Sequence, residues 1–390
     1  MVTMVASTAG GMARAGAAPP IAAKLAVNGT AATSSSQNSQ TAGYVAASGS
    51  QLTVGNAPWK LAGYNLPCAN STTLEKSGGL GYYLDDIKQN SGANVIRVWF
   101  FQSLGGPGNW TAFDGIISAL KSRGMRAIVT LANGTSTCDE PNPPTLYKTL
   151  TWYQTGFMNP YGGYPLSFRT YATDVAQHYA HEPTVAFYQL INEPAAVSYT
   201  SSGSLTCNEQ AAKYAVRRFA DNVISSMAGV DPNHLVDVGS GDVGPCGIGN
   251  DADYTWVHSG RVALCEYHDY GAPAQPMPSG LSSVVNDCAS VTKPVYIGES
   301  GIPASVDASG NPPASCSPWP DCSPNPVTIS SLNQRAQFFQ AKIGAATRSG
   351  MAGYVIWEKS PYYNTSTDAY AIPDGDPTES VLPSALQPYP

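Results

Sequence analysis

The sequence predicts an α/β protein, a (β/α)8 TIM barrel preceded by a small N-terminal β-hairpin, and three observations carry that prediction. Apolar runs of strand length alternate with segments of helical spacing from residue 43 to the C-terminal region. Once a non-globular start is set aside, about 340 residues remain, a length that suits one large barrel. Polar and charged residues recur where the apolar runs end, which is where a barrel carries its chemistry.

The elements follow in order. Residues 1–42 are rich in Ala, Gly, Ser and Thr and lack the continuous apolar stretch of a signal peptide, so they read as a disordered or leader/linker segment. Residues 43–390 form the expected barrel domain. Residues 44–47 and 51–54, separated by Ser48-Gly49-Ser50, predict the hairpin. A first strand is expected over 59–64 and a helix over 74–90, with Leu80, Leu84 and Ile87 on one face. A nearly continuous apolar strand spans 94–100. Helix 113–123 stops at Gly124, and strand 126–131 follows. A Pro-, Tyr- and Gly-rich loop occupies 133–166. Helix 167–181 then leads to strand 185–192, and helix 209–228 leads to strand 235–238. Strand 262–268, helix 281–289, strand 295–299, helix 330–349 and strand 352–357 complete eight strands. The competing topology is an open doubly wound sheet. Its dinucleotide-binding form lacks the GxGxxG that would follow the first strand.

Charged residues make up 12% of the chain, about half the usual share, and the net charge is −7 with no long basic run. This argues against a nucleic-acid partner. No stretch approaches the roughly 20 apolar residues that a membrane-spanning helix needs. Eight widely spaced cysteines without CxxC spacing favour disulfides, hence an oxidising, secreted or extracellular location. Pairs joining neighbouring loops are expected: Cys68–Cys138, Cys207–Cys246, Cys265–Cys288 and Cys316–Cys322. The five histidines form no HExxH or comparable set, so neither metal nor cofactor is expected. The protein is expected to act as a monomer.

Two strand ends stand out. Leu190-Ile191-Asn192-Glu193-Pro194 and Val295-Tyr296-Ile297-Gly298-Glu299-Ser300 are apolar runs that stop at a glutamate. Paired carboxylates facing one cleft are what cleavage of a glycosidic bond requires. The other strand ends carry Arg97 with Trp99, Asn133, Glu266-Tyr267-His268-Asp269-Tyr270 and Trp357. Glu266, two residues from His268 on the same strand face but deeper, competes for a catalytic role, and its depth favours a buried structural carboxylate. Loop aromatics, among them Trp110, Trp152, Tyr153, Tyr161, Tyr164, Trp256, Trp319, Tyr362 and Tyr363, supply faces on which sugar rings stack.

This constellation resembles glycoside hydrolase family 5, a family of retaining (β/α)8 hydrolases, from about residue 43 to 358. Asn192-Glu193-Pro194 is its most specific motif. The resemblance implies that Glu193 is the acid/base and Glu299 the nucleophile. It implies that Asn192 binds a sugar hydroxyl and that Arg97 pairs with the nucleophile. His268-x-Tyr270 matches the sixth-strand pair, and Trp357 matches the tryptophan flooring the −1 subsite. Two motifs depart from the family: Leu131-Ala132-Asn133 stands where a histidine is common, and Gly298-Glu299-Ser300-Gly301 where Gly-Glu-Phe-Gly is common. Segments 97–101 and 187–194 resemble β-mannanases most.

The resulting expectation is a retaining hydrolase of a neutral β-linked glycan, with β-mannan favoured. An exo-acting glycosidase or transglycosylase on the same barrel, and a non-catalytic carbohydrate-binding barrel, are the alternatives. Chemical logic adds two expectations. Arg97 and Tyr270 should keep Glu299 ionised, and Glu193 should hold its proton away from cations.

Overall fold

A computed structural model describes residues 43–67, 69, 79–134, 148–304, 329, 331–359 and 370–390. Strands β1 (Val45–Ser48), β2 (Gln51–Val54) and β3 (Ala57–Trp59) form a small antiparallel sheet. The single strand expected over 59–64 is therefore two. Its first residue belongs to β3, and the chain then enters β4 (Leu61–Asn65), the first barrel strand.

Seven further parallel strands follow: β5 (Val95–Trp99), β6 (Arg126–Thr130), β7 (Val185–Gln189), β10 (Leu235–Asp237), β11 (Cys265–Asp269), β12 (Val295–Ser300) and β13 (Gly353–Ile356). Ladders run without a break from β10 through β7, β6, β5, β4, β13 and β12 to β11. At the remaining seam the Ala263 N–H donates to the Val236 carbonyl at 2.9 Å and the His268 N–H to the Gly241 carbonyl. The strands thus form a nearly closed barrel, and the expected (β/α)8 architecture is observed.

Eight helices among the described residues surround it: α1 (Gly79–Ser91), α2 (Thr111–Lys121), α3 (Leu150–Gln154), α4 (Phe168–Tyr179), α5 (Glu209–Ala228), α6 (Asp251–His258), α7 (Ser279–Ser290) and α8 (Leu332–Arg348). Side-chain caps start several of them, with Ser167, Asn208, Asn250 and Ser331 each accepting an N–H from the first turn. Three elements were not anticipated. Helix α3 lies inside the long loop, α6 stands between the fifth and sixth barrel strands, and a two-residue hairpin of β8 (Ser198–Tyr199) and β9 (Leu205–Thr206) follows β7. A 3₁₀ segment, Pro377–Leu386, also packs beside α8, fastened by the buried Arg335–Asp376 ion pair.

Strand alternation divides the core in two. Leu61, Val95, Ile128, Phe187, Leu264, Tyr296 and Val355 fill the barrel, and Val45 and Leu52 of the small sheet join them. The opposite faces, including Ile96, Val98, Val129 and Ile297, pack against helix residues such as Leu84, Ile87, Ile116 and Leu120. Each such aliphatic side chain contributes about 1.5–3 kcal/mol on burial. Two disulfides match expectation: Cys207–Cys246 with Cα atoms 5.7 Å apart and Cys265–Cys288 at 6.3 Å. The expected pairs Cys68–Cys138 and Cys316–Cys322 lie outside the described residues. Among the described residues no helix is long and apolar enough to cross a membrane.

Candidate active site

The second barrel strand presents Arg97 to the barrel interior, on the same strand face as Val95 and Trp99. Its guanidinium is fully buried and distributes its hydrogens over four partners. Nη1 donates to Glu299 Oε1 at 2.6 Å and to Asn65 Oδ1 at 2.8 Å. Nη2 donates to Asn192 Oδ1 at 2.6 Å, and Nε donates to Gln189 Oε1 at 3.0 Å. Burial opposes its charge, but the carboxylates of Glu299 and Glu266 outweigh that, and its pKa goes up. Arg97 is thus a fixed cation that sets the positions of three strand ends at once.

Glu299 reaches the barrel interior through an irregularity. Its neighbours Val295 and Ile297 face the helices, and strict alternation would send Glu299 after them. The register with β11 slips instead: Tyr267 pairs with Ile297, and His268 pairs with Glu299, so Gly298 is skipped. This β-bulge re-aims the carboxylate inward. Glu299 Oε2 then accepts the Tyr270 hydroxyl at 2.6 Å, while Oε1 holds Arg97. Burial, reinforced by Glu193, nevertheless leaves the Glu299 pKa above the ordinary carboxylate value, against the downward pull of His268, Arg97 and Tyr270. The expectation that Arg97 and Tyr270 would hold it low is corrected: desolvation is the larger effect.

Glu193 follows β7 with φ of +50°, a left-handed conformation that costs a non-glycine residue energy. Its carboxylate is about half exposed, with 44% of the side chain accessible. His268 Nδ1 lies 2.7 Å from Glu193 Oε1 and 3.5 Å from Glu299 Oε2. A carboxylate oxygen of Glu193, one of Glu299 and a His268 nitrogen all lie within 4.8 Å of one another. The two glutamates thus face each other with the imidazole between them. Burial raises the Glu193 pKa, but the His268 contact outweighs it and the net direction is down. Here too an expectation is corrected, because Glu193 sits beside a cation. Burial opposes protonation of His268, but Glu299, Glu266 and Glu193 push its pKa up to about 10.

The remaining residues singled out from sequence fall on the same rim. Asn192 Nδ2 donates to Asn133 Oδ1 at 3.3 Å, and the two residues form a parallel bridge. The Lys148 ammonium donates to the Asn133 carbonyl and holds that strand end from behind. Trp99 is buried, stacks on Phe101 at 5.4 Å and tilts against Trp357 at 6.1 Å. Tyr270 meets Tyr370 edge-on at 5.4 Å. The loop aromatics are different. Trp152 and Tyr153 are buried around Phe219, and Trp110 stacks on His178 at 4.0 Å, so these three serve packing. Trp256 stands exposed on α6 beside Tyr214 and Arg217. Trp319, Tyr362 and Tyr363 lie outside the described residues.

Sequence reasoning missed two amides. Gln189 accepts from Arg97 and from the Thr130 hydroxyl, and donates to Glu266 Oε2 at 2.6 Å. Asn65 receives Arg97 and donates to the Gly298 carbonyl at 3.0 Å. The available signal was a lone amide on the barrel-facing side of an otherwise apolar strand, since such a group must find partners there.

Residues 55–317 match the profile of the cellulase family, glycosyl hydrolase family 5. No curated protein matches the sequence. Among solved structures, the endo-1,4-β-mannanase of Rhizomucor miehei is similar, with a TM-score of 0.62 and 18% identity over 88% of this chain and 98% of that one. The β-glucanase of Saccharophagus degradans has a TM-score of 0.54 and 15% identity over 88% and 94%. The β-mannanase of the blue mussel Mytilus edulis has a TM-score of 0.53 and 15% identity over 85% and 98%. At these identities the structures attest the shared barrel, while the family profile spans well over half of the sequence and includes both glutamates. The chain therefore belongs to glycosyl hydrolase family 5 and is a glycoside hydrolase.

Proposed function

We propose that this hydrolase cleaves a neutral β-linked glycan, β-mannan first, by double displacement with retention of configuration. The opposition of Glu193 and Glu299, with carboxylate oxygens within 4.8 Å, carries this reading. Retaining enzymes hold their two carboxyl groups about 5–5.5 Å apart and inverting ones roughly 6.5–9.5 Å, and an approach of single oxygens within 4.8 Å favours the shorter class. Glu299, gripped by Arg97 and Tyr270 on the barrel floor, is the nucleophile. Glu193, half exposed at the mouth, is the acid/base.

In the first step a Glu299 oxygen bonds to the anomeric carbon. The glycosidic electron pair leaves with the departing oxygen, which takes a proton from Glu193. In the second step Glu193 removes a proton from water, the new hydroxyl bonds to the anomeric carbon, and Glu299 departs. Arg97 and Tyr270 stabilise Glu299 as it regains charge. Asn192, beside Glu193 and tied to Arg97, would bind a sugar hydroxyl. Trp357, backed by the buried Trp99, provides an apolar floor for a pyranose ring, and Asn133 and His268 complete the rim. The preference for mannan rests on the resemblance of segments 97–101 and 187–194. The two disulfides support an extracellular site of action.

The test is hydrolysis of galactomannan, glucomannan, barley β-glucan and carboxymethyl cellulose, with product sizing and NMR of the anomer first released. Retained configuration and fastest turnover of mannans are expected. Inverted product would sink the double displacement, and faster turnover of glucans would replace the substrate.

A further inference from the structure

Beneath the acid/base lies a second carboxylate. Glu266 is fully buried, two residues before His268 on the same strand face. Its Oε1 is 3.2 Å from His268 Nε2, and its Oε2 accepts from Gln189 at 2.6 Å. Both ring nitrogens of His268 therefore face carboxylates, Glu266 below and Glu193 above at 2.7 Å.

This arrangement restricts where protons reside. Before the reaction the Glu193–His268 pair holds one proton besides the Nε2–H. Either both carboxylates are ionised and the ring is an imidazolium donating from both nitrogens, or the ring is neutral, Glu266 takes the Nε2–H, and Nδ1 accepts from a protonated Glu193. The two states contain the same proton, displaced along one short contact.

We propose that Glu266 is a positioning residue for the reaction, orienting His268 and making the Glu193–His268 pair retain the proton that the leaving group receives. The inference rests on reading Glu193 as the acid/base. During glycosylation the proton passes from Glu193 to the departing oxygen, leaving Glu193 ionised and His268 neutral, with its Nε2–H still on Glu266. During deglycosylation water returns one proton to the pair.

Several further charges face His268 and Glu266. Glu299 on β12 lies 3.5 Å from Nδ1, and Arg97 on β5 has Nε 3.8 Å from Glu266 Oε1. Asp242, after β10, interacts with His268, and the Tyr270 phenol contacts Glu299. On the far side, Asp237 is coupled to Glu266 through charge and bonds the Tyr296 hydroxyl at 2.7 Å; buried His258 also senses Glu266. Arg97 is the one cation among these, and it opposes protonation of the imidazole. The anion that touches Nε2 is Glu266, so its charge is the one whose loss the ring must register. The upward shift of His268 agrees with this arrangement.

The experiment compares the full chain with Glu266→Gln and Glu266→Asp. Glutamine keeps an acceptor for Nε2–H without the charge. Histidine-selective NMR, with His268 assigned by His268→Gln, reads the imidazole pKa directly. In Glu266→Gln that pKa is expected to fall by about one unit or more, a tenfold change in protonation. The basic limb of kcat/KM is expected to move to lower pH with it, while Glu266→Asp stays closer to the parent. A His268 pKa in Glu266→Gln within about 0.3 unit of the parent overturns the proposal. So does a basic limb that stays in place while the imidazole shifts. If Glu266→Gln does not fold, Glu266→Asp decides by the same two readouts: a longer, weaker contact must still lower both. Failure of the underlying reading shows elsewhere, as unchanged turnover by Glu193→Gln.

Discussion

The Glu266 carboxylate occupies the space that a side chain at residue 298 would fill: a Cβ on Gly298 would lie 1.6 Å from Glu266 Oε1. The same glycine is the residue skipped in the β11–β12 register, so it both admits the buried acid and turns Glu299 inward. Gly298→Ala must therefore displace one carboxylate or the other. A loss of about 3 kcal/mol is expected, at the upper end for overpacking a core, together with near-complete loss of hydrolysis. Adding Glu266→Ala should recover part of the melting temperature. Thermal melts of the two single variants and the double variant check this; strict additivity would mean that the two sites do not share that space.

Tyr270 and the proposed nucleophile Glu299 should set the acidic side of the pH profile. As the proposed nucleophile Glu299 would have to be ionised to attack, and burial already holds its pKa above the ordinary carboxylate value. The Tyr270 hydroxyl at 2.6 Å favours the ionised form. Tyr270→Phe removes that donor, so the pKa rises further and the acidic limb of kcat/KM moves to higher pH. A fall in kcat/KM of about 10- to 100-fold is expected, from one lost charge-assisted hydrogen bond. The basic limb should stay where it is. A pH–rate series on one soluble substrate reads both limbs, and an acidic limb that moved downward would contradict the role given to Tyr270.

Glu193 and Glu299 should fail in different ways. Glu299→Gln replaces the proposed nucleophilic carboxylate with a neutral amide, so turnover should vanish whatever the leaving group. Glu193→Ala removes acid assistance, worth about 10²–10⁴-fold on poor leaving groups. An aryl glycoside with an acidic phenol needs no such assistance and should still glycosylate Glu299. Added azide should then accelerate its turnover and yield a glycosyl azide. Equal losses on both kinds of substrate, without azide rescue, would remove the distinction between the two roles.

How much of this was legible in the sequence depends on the kind of signal. Arg97, Glu193, His268, Tyr270 and Glu299 were readable because charge or a phenol at the end of an apolar strand is conspicuous, and the structure gathers all five. Glu299 was found from its position at a strand end, although strict alternation points it the wrong way; the bulge at Gly298 is a tertiary accommodation to Glu266. Gln189 and Asn65 were overlooked because a neutral amide carries no directional signal until its partners are known. Helix α6 escaped notice because eight residues give too little periodicity, and its start rests on the Asn250 cap. The directions of the Glu193 and Glu299 pKa shifts were misjudged because desolvation and the His268 contact depend on packing.

The disulfides should differ in accessibility. Cys207 is exposed, whereas Cys265 and Cys288 are both fully buried. Mild reductant should open Cys207–Cys246 first, as thiol trapping with mass spectrometry would reveal. The sequence separations of 39 and 23 residues correspond to about 4 and about 3 kcal/mol of unfolded-state restriction. Cys207→Ser/Cys246→Ser should accordingly lower the denaturation midpoint without altering the pH–rate profile. An unchanged midpoint would mean that this link does not constrain the unfolded chain.

His258 should make the protein sensitive to acid. It is fully buried on α6, its ring nitrogens facing the Ser240 hydroxyl at 2.9 Å and the Tyr254 carbonyl at 2.9 Å. Burial depresses its pKa from 6.5 to about 4. Above pH 6.5 neither the native nor the unfolded chain carries this proton, and the contribution to stability is full. As pH falls from 6.5 towards 4, the unfolded chain binds the proton and the native one does not, so stability declines. Below about 4 both states bind it and the decline ends. The window corresponds to about 3 kcal/mol. Chemical denaturation at pH 7 and pH 4.5 should show a steeper loss for the parent than for His258→Asn, even though the variant starts lower. Parallel pH dependences for the two proteins would assign the acid sensitivity to other groups, with Glu193 and Glu266, both held below the ordinary carboxylate value, the next to examine.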